Sequence, residues 1–379
     1  MKAPKPIVSV MRTTPESVIR DYATLLDEAK YRQVIDNHIK TILKLNLSWS
    51  LYYPACSTEP WQLEGVLKKM RQDKFNKMTA VENQTVVTHP WKGAYGNKWL
   101  PILKKMDVPY QPLTNVEWIK YKPKSEMIAM KELFGEILVP KMYMNTNVVH
   151  FPTVKTHGHT TTTGAMKNAF GGLIPKYRHH AHRKIHEVLV DLLAIQQEIH
   201  KGTFAVMDGC VAGNGAGPRT MQPYSGNVIL ASGDQVAIDA ISAKIMGFDP
   251  LKIPYIKMAH DRGLGMGDVR QIDIAGMDRK EFMKINFHFR TEKSPIIQGD
   301  QLLRKKTAKI HWLHNMLFHS PIFKTFIFSS EFYHDKLWYP TIGKHNINQF
   351  NKTEWGILFN KYPYGPYPKF KKIDKWDSY

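Results

Sequence analysis

Residues 155–172 read KTHGHTTTTGAMKNAFGG. His157 and His159 stand one residue apart in a stretch rich in Gly and Thr, and Lys167 follows inside a small, apolar run. A neutral imidazole exchanges a proton near pH 7 without a large pKa shift. A lysine nearby neutralises a carboxylate or phosphate, and in apolar surroundings it is costly unless an anion or a covalent partner meets it. The pattern points to acid–base or metal-assisted chemistry on a small anionic substrate. His157, His159 and Lys167 are the candidate catalytic residues. Asp208 joins them as a carboxylate that binds a divalent cation or orients a histidine. A second group, HHAHRKIH, carries His179, His180, His182 and His186. The plain reading is a solvated helix start. The functional one adds His182 and His186 to His159 and Asp208 as candidate metal ligands.

Such residues work only if a fold gathers them. In open α/β sheets the ligand lies beyond the carboxyl ends of the strands, and three segments meet that condition. The first follows the apolar run NVVHFP and carries Lys155, Lys167 and Asn168. The second follows TFAVMDG; in CVAGNGAGPR, Gly213, Gly215 and Gly217 can bring backbone N–H groups close to an anion, although a plain turn is the ordinary reading of such a loop. The third is Ser232-Gly233-Asp234, where Asp234 either binds a ligand or caps a helix. Lys155, Asn168, the three glycines and Asp234 form the candidate cofactor-binding set.

The elements alternate along the chain. PIVSVM, TILKLNLSWS, KMTAVEN, NVEWIKY, EILVP, NVVHFP, TFAVMDG and NVILAS read as strands. Helices are predicted after Thr14-Pro15-Glu16, after Glu59-Pro60-Trp61, over NKWLPILKKM, around 162–173 and 183–199, and over GDQVAIDAISAKIMG. This rhythm predicts an α/β fold with a mostly parallel or mixed sheet covered by helices on both faces. Residues 1–280 form the predicted core. Residues 281–379 form a C-terminal extension, expected to be irregular, that wraps the core or meets a partner. Residues 301–379 hold 18 of the 43 aromatic residues.

The formal charge of +20 favours an anionic partner: a small anion, nucleic acid or an anionic membrane face. Segment 301–339 is the candidate membrane or partner contact, through Trp312, Phe318, Phe323, Phe326 and Phe328. The same rings packed in a groove on the core are the plainer alternative. The chain has two cysteines, Cys56 and Cys210, and no CxxC. No intrinsic iron–sulfur cluster is expected, and a divalent metal is the candidate cofactor. His311, His314 and His319 are assigned no metal. Without an apolar run of spanning length or an apolar leader, a cytoplasmic location is expected, with peripheral membrane contact.

The blocks VKTHGHTTTTGAMKNAFGGLIP, DGCVAGNGAGP and ASGDQVAIDAISAKIMGFDP, followed by AHDRGLGMGD, resemble the family of domain of unknown function 362. The resemblance spans roughly residues 5 to 276. It implies an α/β core and a link to iron–sulfur electron transfer, since many members carry a ferredoxin segment. This chain lacks the cysteines for one, so the resemblance implies at most docking to a separate ferredoxin. The central stretch is also similar to nickel-pincer lactate racemases. That similarity would make Lys167 the cofactor anchor, with His159 and either His182 or His186 assisting metal binding and proton transfer. Ala165-Met166 stands where that family has Gly-Gly.

Overall fold

Short runs of aliphatic and β-branched residues supply the strands. The computed structural model describes residues 5–85, 88–175, 178–307, 309–318, 320 and 322–370. Its strands are β1 (Ile7–Arg12), β2 (Thr41–Lys44), β3 (Met78–Glu82), β4 (Tyr110–Pro112), β5 (Trp118–Tyr121), β6 (Ile137–Pro140), β7 (Thr146–His150), β8 (Thr153–His157), β9 (Thr161–Thr162), β10 (His200–Ala216), β11 (Thr220–Ser232) and β12 (Asp273–Ala275). The main sheet runs β12-β1-β11-β10-β7-β2-β3-β4, with β8 paired to β10 and β9 to β8. Along the main path only β11 runs against its neighbours. The sheet is therefore mostly parallel, and β5 and β6 make a separate antiparallel pair.

A parallel sheet has to be covered on both faces, and alternate residues of β10 show how. Phe204 and Val206 pack with Tyr22 and Leu25 of the helix Val18–Glu28 and with Trp61 and Val66 of the helix Pro60–Gln72. Ala205 and Met207 point the other way. They pack with Met166 of the helix Ala165–Leu173, Leu189 and Leu193 of the helix Ile185–Ile199, and Ile238 and Ile241 of the helix Gln235–Met246.

β10 spans 17 residues and holds two strands in succession along one edge. Its first part pairs with β7, and its later part with β8 from the Asp208–Thr153 pair to the Gly213–Lys155 pair. The glycine-rich stretch read from sequence as a loop is thus strand. Its glycines permit close approach: a Cβ on Gly217 would lie 1.8 Å from the Thr156 carbonyl oxygen, and one on Gly213 2.5 Å from Met221 Sδ.

The C-terminal extension is helical rather than irregular. It comprises helices Pro295–Thr307, His311–Phe318, Phe323–Glu331, Lys344–Phe350 and Glu354–Lys361, with a π-helical stretch at Phe332–Gly343. Its last part joins the core: Trp355 packs on Trp61 with ring centroids 5.1 Å apart, and Phe359 stacks on Tyr52 at 3.8 Å. Of the five aromatic residues singled out in segment 301–339, Phe318 and Phe323 are buried, whereas Trp312 and Phe328 are 70% and 66% exposed. His319 and the terminal stretches 1–4 and 371–379 lie outside the described residues. Among the described residues no helix is long and apolar enough to cross a membrane.

One polar contact ties two helices of the sheet's second face together. Asp239, a turn into the helix Gln235–Met246, accepts the N–H groups of Ala165 (2.6 Å) and Met166 (3.1 Å) at the start of the helix Ala165–Leu173. Burial pushes its carboxyl up to about 8, against the pull of those two donors. Asp239→Ala orphans two buried donors, each costing about 1–3 kcal/mol. The expected result is a lower urea midpoint with an unchanged denaturant slope.

Candidate functional site

Three parallel strands end side by side on Lys44, Glu82 and His150. Lys44 is in register with His150 and next to the end of β3. Its Nζ donates to both Glu82 carboxylate oxygens, each at 2.9 Å, and to the Leu45 carbonyl at 2.6 Å. Burial pulls the Lys44 ammonium below its ordinary range, with Glu82 opposing. Asn168 Nδ2 donates to the Lys44 carbonyl at 2.9 Å and lies 3.3 Å from His150 Nδ1, whose Nε2 is 2.7 Å from Gln196 Oε1. Burial takes His150 down to about 3, so this ring is neutral in the physiological range.

Over this floor opens a cleft of about 480 Å³, within the roughly 300–1,000 Å³ typical of small-molecule sites. Lys167 lines it from the helix Ala165–Leu173. Among the described residues no carboxylate and no hydrogen-bond acceptor meets its Nζ, which lies 5.5 Å from the centroid of the Phe170 ring. Burial, reinforced by Lys155 and Arg178, holds its pKa down to about 8. Arg178 also lines the cleft, donating through Nε to the Ile174 carbonyl at 2.8 Å. Arg219, in the turn between β10 and β11, donates from Nη2 to Ser330 Oγ at 3.4 Å, while its Nη1 is buried without a hydrogen-bond partner.

The histidines form one group. The His159 amide donates to His157 Nδ1 at 3.1 Å, so neutral His157 carries its proton on Nε2. The His159 ring stacks on His182 with centroids 4.5 Å apart, and Gln301 Nε2 lies 3.2 Å from His159 Nδ1. Burial drives His157 and His182 well below the usual imidazole range, and His159 down to about 4 with Asp300 opposing. Ligand atoms of His159, His182 and Asp300 all lie within 4.8 Å of one another, a nitrogen–oxygen set suited to a divalent cation. Asp300 is also held by Arg304 Nε, at 2.9 and 3.0 Å.

His157, His159, Lys167, Asn168, His182 and Gly217 therefore converge on one cleft. The other sequence candidates lie elsewhere. Asp208 sits on the Phe204 and Val206 face of β10, under the first two helices, where Tyr22 Oη (2.6 Å) and Trp61 Nε1 (2.8 Å) donate to it. Its register on β10 turns it into the core, so it neither reaches the histidines nor shares a metal with them. Lys155 is buried beside the cleft, with its Nζ on Asn46 Oδ1 (2.6 Å), Ser48 Oγ (3.2 Å) and the Cys56 carbonyl (2.6 Å). Burial lowers it to about 8. His186 stacks 6.0 Å from Tyr255, outside the cleft lining. Asp234 caps its helix, accepting from Val236 and Ala237. Gly213 and Gly215 pair within the β10–β11 hairpin. Sequence reading missed Lys44, Glu82, Arg178, Arg219 and Asp300. The strand-end rule applied to TILK and MTAVE would have found Lys44 and Glu82.

The place where the racemase similarity would put the Gly-Gly beside the anchor lysine is occupied differently. Ala165 and Met166 spend their N–H groups on Asp239, so this helix start offers neither amide to a nucleotide phosphate.

The family described as domain of unknown function (DUF362) matches residues 41–244, more than half of the chain. A curated relative, the thylakoid-associated protein sll1697 of Synechocystis sp., is 27% identical over 177 residues, covering 46% of this chain. The matched stretch spans about half of that relative, 52% of its length. No solved structure matches the chain.

The Lys44–Glu82 pair gives a double-mutant test. Lys44→Met alone leaves a buried, uncompensated carboxylate and is expected to cost about 3–5 kcal/mol, whereas Lys44→Met with Glu82→Leu costs much less. Urea unfolding of the two variants checks this.

Proposed function

We propose that in this chain, which belongs to the domain of unknown function 362 family, the cleft binds an organic anion and moves a proton on it, as an isomerase-like enzyme. The observation that carries the reading is that Lys167 Nζ and Arg219 Nη1 belong to cleft-lining residues, yet neither atom has a hydrogen-bond partner among the described residues. Cations so placed are costly unless a ligand supplies the counter-charge. The Arg219 fork suits a carboxylate or phosphate, and Lys167 acts as a point charge beside it. Neutral His157 offers its Nε2 proton, and the neutral rings of His159 and His182 are acceptors near the same anion. A divalent cation on His159, His182 and Asp300 would polarise an oxygen of the bound molecule.

The test is calorimetric titration with inorganic phosphate and with oxalate. Lys167→Ala is expected to weaken binding by about 1.5–3 kcal/mol, the worth of a hydrogen bond to a charged group. The pH dependence has a definite sign. Lys167 is cationic below about 8 and neutral above it, so affinity is fully present near pH 7 and falls as the pH rises past 8. Lys155 shares that pKa but is tied to Asn46, Ser48 and Cys56, and Arg178 at about 10 stays charged through this window. Lys167→Ala should flatten the profile; equal affinity and an unchanged profile in the variant would refute the reading.

A second reading concerns the outside of the extension, where Trp312 and Phe328 stand in water. Between residues 302 and 342, Lys305, Lys306, Lys309, Lys324 and Lys336 are exposed, and no described carboxylate is. Aromatic rings beside unopposed lysines suit an anionic membrane surface, and the thylakoid association in the relative's name points the same way. Co-sedimentation with phosphatidylserine vesicles at low salt is expected and should fade as salt rises. Trp312→Ser with Phe328→Ser should weaken it about tenfold or more. Protein that stays in the supernatant at low salt rules this reading out.

A further inference from the structure

The walls of the cleft differ in chemistry according to where they come from. Its cations, Lys44, Lys167, Arg178 and Arg219, all belong to the core. The extension contributes mainly hydrocarbon: Ile296, Ile297 and Leu303 from the helix Pro295–Thr307, and Phe323, Phe326 and Ile327 from the helix Phe323–Glu331. A site for a small polar anion has no use for six apolar side chains along one wall, because such a ligand gains nothing from them and loses water. A ligand with a charged head and an apolar tail satisfies both walls at once.

The outer surfaces of the same helices are more polar. Leu302 is exposed next to cleft-lining Leu303, and Phe328 next to cleft-lining Ile327. Ordinary surface helices are apolar on one side only. Here one large apolar side chain on each helix, Leu302 and Phe328, stands outward among exposed Gln298, Lys305, Lys306, Lys324 and Thr325. Phe328 and Phe332 stack there with centroids 6.2 Å apart.

We infer that the ligand of the cleft is an amphiphilic anion, a phosphate or carboxylate bearing a hydrocarbon chain, held with its head on Lys167 and Arg219 and its chain along the extension. The inference rests on the anion reading above and names its ligand class. Calorimetry tests it on the full chain with inorganic phosphate, then butyl, octyl and dodecyl phosphate below their micelle concentrations. Dodecanoate is run as the carboxylate arm and octyl glucoside as the uncharged one. Affinity should climb with chain length, by up to about fourfold for each methylene buried. Lys167→Ala should weaken every anion. Ile297→Ser and Phe326→Ser, made separately and checked by thermal melting, should flatten the chain-length series while leaving inorganic phosphate binding unchanged. Chain-dependent binding of either head group supports the inference, and the tighter one assigns the head. A flat series with phosphate still bound overturns the inference and leaves the anion reading standing. No binding of any anion overturns both. Octyl glucoside binding as tightly as octyl phosphate overturns the charged head.

Discussion

The two N–H groups that open the helix Ala165–Leu173 end on one carboxylate, that of Asp239, and the geometry of the cleft follows from where that carboxylate stands. A helix start has donors that must be met. Here a neighbouring helix meets them rather than a cap from the same segment, which locks two elements distant in sequence to each other. Gly164 is part of the arrangement: a Cβ there would lie 2.2 Å from Asp239 Oδ1. With the helix start fixed, Asn168 reaches the end of β2, and Lys167, one residue earlier, looks into the opening.

Burial then sets the charge state of the site. Three imidazoles gathered near two lysines and two arginines would repel one another if protonated. Removing them from water keeps them neutral, so the positive field in the cleft comes from Lys44, Lys167, Arg178 and Arg219 and not from the rings. Of the acidic lining residues, Glu82 is occupied by Lys44 and Asp300 by Arg304. The excess positive potential is left for a ligand.

Much of this could be read from the sequence where period and chain direction speak together. The strands at TFAVMDG and NVILAS and the helix after Asp234 lie where apolar periodicity puts them, although those two strands pair as an antiparallel hairpin within the mostly parallel sheet. His157, His159 and Lys167 were legible because local composition was enough to bring them to one place. Asp208 was misplaced because the strand continues past it: what reads as a strand ending on a carboxylate is the middle of β10, and register alone decides which face its side chain takes. The glycines at 213 and 217 signalled close approach, but the partners were Met221 on β11 and the Thr156 carbonyl on β8, and not an anion. Arg219 and Asp300 carried no local signal, since a turn arginine and a helix aspartate look alike whether or not a cleft lies beside them. The helical extension was hidden by its composition, because rings spaced for packing on both sides leave no single periodic face.

Both ends of the extension are fastened to the same hairpin. At its beginning, Glu292 donates its amide to the Gly215 carbonyl on β10 at 3.2 Å, and near its end Trp355 Nε1 donates to Asn227 Oδ1 on β11 at 2.7 Å. The span between the two knots is a strap buckled to a single bar. Between the knots it is stitched to the core again: Trp49 Nε1 donates to Asp335 Oδ1 at 2.7 Å, Tyr339 Oη to the Tyr52 carbonyl at 3.0 Å and Asn346 Nδ2 to Tyr53 Oη at 2.8 Å. The roof over the charged floor is therefore pinned along its length as well as near its ends.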